Sequence, residues 1–520
     1  MNERTAIKGC AWINGHELVF QEPDLIATLD DIPSPYLNGM LDQFLEAGLL
    51  PLFETNRGCP FKCRYCVWGL TDYNKVHLFS LERVFKEMDY VSRKFPNIPA
   101  WIIADANFGL LPRDIQIAEK IRQIRKENLT LRTVITWESK NTTQRNLEIA
   151  RLLVDKQGYV LMAIQTFDET ALIEINRKNI NSEEMLSHIG TFQQNGTQVV
   201  TNILSGLPGE SYIGHLQPLR KCFEYGFDNI GIFSTILLPG SELESQALRD
   251  KYQIRTRYRL RQGMFGEYNG MKSIDSEEII SEHAAMSQDE LTSFRLVHWL
   301  IWYGWNHGFL KPFYKYAHHI AQINPVDLIL DIIRLMPSVS RLHKIQLDFN
   351  NQAAQEWFDS HQDLYAHYTS SDKWHEITNE GYTRVEFRYN SVMISNKDLF
   401  SDMLKVIYQI LQDVLSNHQL EDLEMLLRLA WEMRIEPDSI FTSSLVSSKL
   451  VRLPIHLRPF LGVRDTDDYP IDEIILEKDS VQQEAVRRHL IRFGYVDRPL
   501  YAIQKTLGAL PDAFSYSIKN

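Results

Sequence analysis

Short apolar runs alternate with helical periodicity over the first half of this chain, and the alternation stops near residue 240. The runs at 51–55, 100–104, 131–136, 159–165, 199–205 and 229–235 suit buried strands, because a strand covered on both faces reads as a continuous apolar stretch. Between them, apolar residues recur at the 3.6-residue helical period. Ser80 predicts an N-cap for a helix over 81–94, and Pro112-Arg113-Asp114 leads into one over 115–126. Asn181-Ser182 opens another, which Asn195-Gly196 stops; 216–225 is a further helix. Repeated strand–helix units predict an α/β fold with a parallel sheet and right-handed crossovers. Six units are fewer than a closed eight-unit barrel needs, so a partial barrel or an open sheet fits.

The flanks read differently. Residues 1–50 form a leader punctuated by Pro33, Pro35 and Gly39, with a helix expected over 37–50. The basic, aromatic stretch 255–261 predicts a solvated strand or loop face, with a phosphate grip as the alternative. Ser287 and Glu290 have capping-box spacing before a long aromatic helix. Trp299, Trp302 and Trp305 on that helix predict a core-facing stripe, with a substrate wall as the alternative. Residues 320–520 read as mostly helical, with one strand-like patch at 383–394. The expected organisation is a leader (1–50), a core domain (51–280) and a mainly α-helical C-terminal region (281–520) to which the sequence assigns no chemistry.

Composition narrows the function classes. The 520 residues carry 55 Lys+Arg against 67 Asp+Glu, a formal charge of −12, which argues against nucleic acid as a partner. The N-terminus lacks a basic segment followed by an apolar one, so no signal peptide is expected. The richest apolar stretch, 294–310, is broken by Arg295, His298, Asn306 and His307, well short of the roughly 18 apolar residues of a spanning helix. A cytoplasmic, reducing setting away from membranes is the expectation. Only 5 cysteines occur, too few for a disulfide scaffold.

Three of the 5 cysteines nevertheless fall within eight residues, in Cys59-Pro-Phe-Lys-Cys63-Arg-Tyr-Cys66. This C-x3-C-x2-C loop follows the first strand, where α/β folds place their sites. Three thiolates can converge on one inorganic centre. Zinc usually recruits four ligands, often in two C-x2-C pairs, and no second pair exists in this sequence. Cys222 reads as a small core residue of a helix, and Cys10 lies far off in the leader. A [4Fe–4S] cluster normally takes four thiolates, so three would leave one iron open.

A C-x3-C-x2-C loop after the first strand of a parallel α/β domain resembles the radical S-adenosylmethionine (SAM) superfamily. The resemblance implies a partial (β/α)6 barrel with Cys59, Cys63 and Cys66 holding a [4Fe–4S] cluster. The open iron would chelate SAM, and its reductive cleavage would give a 5′-deoxyadenosyl radical. Tyr65 matches the aromatic that packs by the adenine. Asp105-Ala106-Asn107-Phe108-Gly109 stands where many members have Gly-Gly-Glu and resembles a branch associated with cobalamin-binding enzymes; Asp105 or Asn107 would accept from the SAM ammonium. The order of Glu138, Gln165, Arg177 and Asn202 at successive strand ends resembles the coproporphyrinogen dehydrogenase-like branch. There a Glu, a Gln, an Arg and an Asp contact SAM; Asn202 stands for the Asp and brings no charge. Arg177 would fork onto the SAM carboxylate, Glu138 and Gln165 would accept from ribose hydroxyls, and Gly206 of Gly206-Leu-Pro-Gly209 would let the backbone approach the adenine.

The leader resembles the linker that follows a cobalamin-binding domain, yet no D-x-H-x-x-G signature precedes Cys59. Cobalamin is therefore left open, with a separate cobalamin-binding partner or the C-terminal region as its source if the reaction uses it. The expectation is a radical SAM enzyme that acts on an unidentified small-molecule or peptide substrate with an external electron donor. C-methylation is one outcome, and rearrangement, cyclisation and oxidation are others. The alternative is an iron–sulfur or zinc binding or electron-transfer protein without SAM cleavage. An RNA-modifying enzyme is a third reading, against which the acidic balance and the lack of a basic C-terminal module stand.

Overall fold

In the computed structural model, residues 8–21, 28–69, 75–136, 144–153, 159–442, 448–461, 473–478, 480–510 and 513–518 are described. The chain divides into two units, Met1–Lys62 with Trp68–Gly158, and Cys63–Val67 with Tyr159–Asn520. Six parallel strands form at the six apolar runs, three in each unit, a mixed α/β architecture consistent with a partial barrel.

In the first unit the strands are β1 (Leu52–Phe53), β2 (Ala100–Ile103) and β3 (Thr133–Thr136), parallel and hydrogen-bonded in that order. Helices α1 (Leu81–Lys94), α2 (Asp114–Glu127) and α3 (Gln144–Leu153) follow them. Ser80 caps α1, its side chain accepting from the Arg83 backbone N–H at 3.2 Å. Val84, Met88 and Val91 fall on one face of α1 and are buried with Ile117, Ala118 and Ile121 of α2 and with Phe53, Trp101 and Ile103 of the strands. The leader joins this core through Tyr36, whose hydroxyl donates to the Leu52 carbonyl and accepts from the Leu52 N–H, both at 2.8 Å. Its ring stacks on Phe53 with centroids 5.1 Å apart. The helix expected over 37–50 shrinks to Asp42–Glu46, because Gly39 and Gly48 turn the backbone at φ +70° and +90°.

In the second unit β4 (Tyr159–Gln165), β5 (Gln198–Ser205) and β6 (Asn229–Ser234) are parallel, with β5 central. They alternate with α4 (Glu169–Glu174), α5 (Ser182–Gln194) and α6 (Tyr212–Glu224). Asn181 caps α5 through the Glu184 N–H at 2.8 Å, and Cys222 is buried in α6. A long antiparallel hairpin follows, β7 (Arg255–Tyr268) and β8 (Met271–Glu282), turned by Asn269-Gly270 with both residues at positive φ. The expected solvated face of 255–261 is corrected here: the segment is a strand, but Arg259 and Leu260 are buried.

Helix α7 (Gln288–Leu300) starts at the expected capping box of Ser287 and Glu290 and runs into a π-helical turn, Ile301–Asn306. Trp299 and Trp305 enter the core, while Trp302 is only half-buried. Helices dominate beyond this point, among them α8 (Ser340–Gln355) and α9 (Val385–Ser395). Helix α9 replaces the strand-like patch: Val385, Tyr389 and Met393, four residues apart, are all buried. A four-residue repeat satisfies both the strand period of two and a helix face, which is why the alternation misled. A small antiparallel sheet of Ser448–Arg452, Glu473–Glu477 and Ser517–Ile518 was not foreseen. Among the described residues no helix is long and apolar enough to cross a membrane.

Ile121 is fully buried between α2 and the β-strands of the first unit. Ile121→Ala is expected to destabilise this unit by about 2–5 kcal/mol through lost burial and the cavity left behind. A fall in the urea midpoint, followed by tryptophan fluorescence, measures it.

Candidate functional site

The end of β1 is locked by the end of β2. Asp105, fully buried, accepts at Oδ1 from the backbone N–H groups of Thr55 (2.7 Å) and Asn56 (3.2 Å). At Oδ2 it accepts from Asn56 Nδ2 at 2.7 Å and from the Thr55 hydroxyl. Four donors match the roughly four acceptor sites of a carboxylate. Asp105 is thus committed to holding the strand that leads into the cysteine loop, a different occupation from the ammonium acceptor expected of it. Burial pushes its carboxyl up to about 6, against the pull of these donors.

Two residues further on, Asn107 donates from Nδ2 to the sulfur of buried Cys59 at 3.1 Å. The loop closes on Asp114 at the start of α2, which accepts from the N–H groups of Gly109 and Leu111, both at 2.9 Å. Gly109 has φ +98°, and a Cβ there would lie 2.3 Å from Asn146 Nδ2, so only glycine fits. Glu138 lies outside the described residues.

In the second unit, the segment Cys63–Val67 is sewn to the end of α4. The Arg64 N–H donates to the Ile175 carbonyl (3.0 Å), and its guanidinium to the Glu174 carbonyl (2.8 Å) and Glu242 (3.0 Å). The Cys66 N–H donates to the Cys63 carbonyl at 3.0 Å. Asn176, at φ +51°, ends α4 and turns the chain so that Arg177 enters the interior. The Arg177 guanidinium donates to the Tyr65 hydroxyl (2.9 Å), to Asn179 Oδ1 (2.9 Å) and to the Ala163 carbonyl of β4, and lies 4.0 Å from Cys63 Sγ. It therefore fixes the cysteine segment, in addition to the carboxylate fork that the resemblance implies. Tyr65 keeps part of its surface open, but its ring packs on Ala171, Ile175 and Leu207, and burial of the hydroxyl raises its pKa.

The other expected contacts sit at strand ends of the same unit. Gln165 ends β4 at φ +70° and is buried. A left-handed conformation costs a non-glycine residue about 1–3 kcal/mol, and such strain clusters at functional positions. Asn202 on β5 lies opposite Gly231 on β6, where a Cβ would come within 2.4 Å of its Oδ1. Gly206 has φ +82° and donates its N–H to Glu210 Oε2 at 3.1 Å.

Glu210 opens a buried polar chain that sequence reasoning missed. Its Oε1 lies 3.2 Å from His215 Nδ1, and His215 Nε2 lies 2.9 Å from His298 Nε2. One of the two Nε2 atoms must donate and the other accept. Glu210 Oε1 and His215 Nδ1 approach each other without forming a hydrogen bond. Burial holds the His298 pKa far below that of an ordinary imidazole, keeping it neutral. Only Glu210 and His215, on one helix start, carry a local signal; His298 comes from α7.

Residues 53–214 match the family model of the radical SAM superfamily. The chain carries a radical SAM domain. It is 29% identical over 297 residues to the cobalamin-dependent radical SAM methyltransferase TokK of Streptomyces tokunonensis, covering 55% of this chain and 43% of that protein. It is 27% identical over 298 residues to 2-(S-pantetheinyl)-carbapenam-3-carboxylate methyltransferase of Streptantibioticus cattleyicolor, covering 55% and 43%. The chain thus spans less than half the length of these relatives. Among solved structures, the radical SAM methyltransferase TsrM from Kitasatospora setae, with tryptophan substrate and a SAM analog bound, is 14% identical with a TM-score of 0.38, covering 50% of this chain and 53% of that one.

A radical SAM domain implies a [4Fe–4S] cluster and SAM, and its cobalamin-dependent relatives leave cobalamin open. The donor chemistry of this loop suits such a cluster. None of Cys59, Cys63 and Cys66 is in a disulfide, and the sulfur of Cys59 accepts an N–H from Asn107. Hydrogen bonds to sulfur are among the features by which proteins tune such clusters. Among the described residues no three His, Cys, Asp or Glu side chains are already gathered as a metal cage.

The Asp105 carboxyl, at about 6 when folded against an ordinary value of 3.8, binds its proton more tightly in the folded chain. Its contribution to stability is full below about pH 4 and is lost as the pH rises through 6, a loss of about 3 kcal/mol. Asp105→Asn is expected to lack this fall, so urea midpoints at pH 4 and pH 7 should differ less in the variant than in the parent.

Proposed function

We propose that this chain is a radical SAM enzyme that uses a [4Fe–4S] cluster held by Cys59, Cys63 and Cys66. The observation that carries the reading is the set of three cysteines, none in a disulfide, on one C-x3-C-x2-C loop after the first strand of the segment that matches the radical SAM model. Held by Cys59, Cys63 and Cys66 and charged by an external electron donor, such a cluster would supply one-electron reductive cleavage of bound SAM. The protein's own residues bind, orient and exclude water. Asn107 and Arg177 place positive N–H dipoles and a guanidinium against the thiol sulfurs, and Asp105 and Arg64 hold the backbone on either side of the loop. Gln165, Asn202, Gly206 and Glu138, with Tyr65, are the proposed SAM contacts.

C-methylation is the reaction favoured among those open to this chemistry, because the relatives that cover more than half of this chain are named as methyltransferases. Cobalamin would then be needed as methyl carrier. A reading as an electron-transfer or zinc protein predicts bound metal with no SAM consumed.

Anaerobic reconstitution with iron and sulfide, then dithionite and methyl-labelled SAM, tests the reading. The expected result is a cluster signal by electron paramagnetic resonance and 5′-deoxyadenosine in the products, both abolished in Cys63→Ala. With cobalamin added, S-adenosylhomocysteine is expected as well. One zinc per chain with no sulfide would overturn the proposal.

Asn107→Ala removes the N–H donor from the Cys59 sulfur. Such donors favour the more negative, reduced state, so the variant's cluster is expected to have a lower reduction potential, measured by redox titration.

A further inference from the structure

The hairpin β7–β8, helix α7 and the start of α9 wall a cavity beside the C-terminal ends of β5 and β6, where Ser205 and Ser234 line it. Its enclosed volume is about 70 Å³, room for a few waters or one small polar group, and it opens to solvent at its mouth. Trp302, Trp357 and Phe387 give it an aromatic wall. Its charged lining is lopsided: Arg257, Arg259, Arg295 and Arg384 against Glu386.

The pairing of these arginines differs. Arg295 is satisfied on every side, donating to Glu386 (2.7 Å), Glu356 (2.5 Å) and the Ala353 carbonyl (2.9 Å). Arg259 and Arg384 share one carboxylate. Glu277 accepts from Arg259 Nη2 at 3.2 Å and from Arg384 Nη2 at 2.8 Å on each oxygen. The Nε atoms of both arginines are buried with no hydrogen-bond partner, and Arg259 is only 3% exposed. With Glu356 and Glu386 on Arg295 and Glu277 between Arg259 and Arg384, three arginines meet three carboxylates; what the wall lacks is an acceptor for two buried Nε–H groups, and unmet donors of this kind are costly. Burial and the neighbouring Arg259 lower the Arg384 pKa, partly offset by Glu277 and Glu386.

We propose that this cavity is the substrate pocket and that Arg259 and Arg384 bind the carboxylate of a small organic acid whose apolar body lies against Trp302, Trp357 and Phe387. The two oxygens of a carboxylate would accept from the two unpartnered Nε–H groups, in the planar fork geometry that guanidinium groups favour. Calling the occupant a substrate rests on the reading of the chain as a radical SAM enzyme, whereas the anion site stands on the pocket alone.

The test uses the full chain with phenylacetate and indole-3-acetate, each against its own amide, which differs in charge and little in shape. Calorimetry and thermal shift need neither cluster nor SAM. Each acid is expected to bind at least about tenfold more tightly than its amide. Arg384→Gln should erase that preference, and Arg384→Lys, which keeps the charge and loses the fork, should retain part of it. Glu277→Gln frees both guanidinium groups and should strengthen acid binding, which a purely structural ion network would not do. No binding by either acid, equal binding of acid and amide, or a preference unchanged in Arg384→Gln and Glu277→Gln overturns the proposal. Failure of SAM cleavage alongside an intact acid preference overturns the enzymatic reading and leaves the anion site in place.

Discussion

A guanidinium taken out of water needs partners for its N–H groups, and Arg177 finds them in pieces of chain that would otherwise be independent. Its donors reach the Ala163 carbonyl on β4, Asn179 beyond α4 and the Tyr65 hydroxyl between two of the clustered cysteines. A short loop of thiols has little apolar surface to bury, so packing alone would leave it free to move. The polar network supplies the constraint that packing does not. Losing any one partner would leave part of a buried cation unsatisfied, which costs more than the bond itself is worth.

The first unit solves the same problem with the opposite charge. Asp105 gathers four donors from Thr55 and Asn56 and so fixes the path of the chain just before Cys59. Burial still raises its pKa, which means the donors do not fully offset desolvation. In this light Asp105 and Arg177, both expected as SAM contacts, are first of all devices that position the thiol loop. A residue that binds a cofactor and one that shapes the loop around it can leave the same mark in a sequence: a charged group at a strand end.

What was legible in the sequence was local. Buried parallel strands read as continuous apolar runs, and all six formed where those runs fall. Caps such as Ser80, Asn181 and Ser287 act within a few residues and were read correctly. The helix over 37–50 failed because two glycines outweighed its apolar pattern, and the patch at 383–394 failed because a spacing of four residues fits two periods. The cysteine loop was legible because its ligands lie in one short segment.

The cavity beside β5 and β6 was not legible, for a physical reason. Arg259 comes from a hairpin strand, Arg384 from the position just before α9, and the Glu277 they share from the opposite strand of the hairpin. In sequence, Arg259 is one cation among several in a basic stretch, and the solvated reading was the natural one. What separates it from Arg257 and Arg261 is burial: Arg261 pairs with Asp275 where both are exposed, so its charge is screened and its pairing weak. Arg259 sits under Trp357, its guanidinium 5.2 Å from the ring centroid, with an N–H that no protein group accepts. Strand alternation puts residues 257, 259 and 261 on one face, so the difference comes from what packs over each of them. The chemistry of the cofactor loop is thus encoded in residue type and spacing, while that of the cavity is encoded in which of several like charges the fold removes from water.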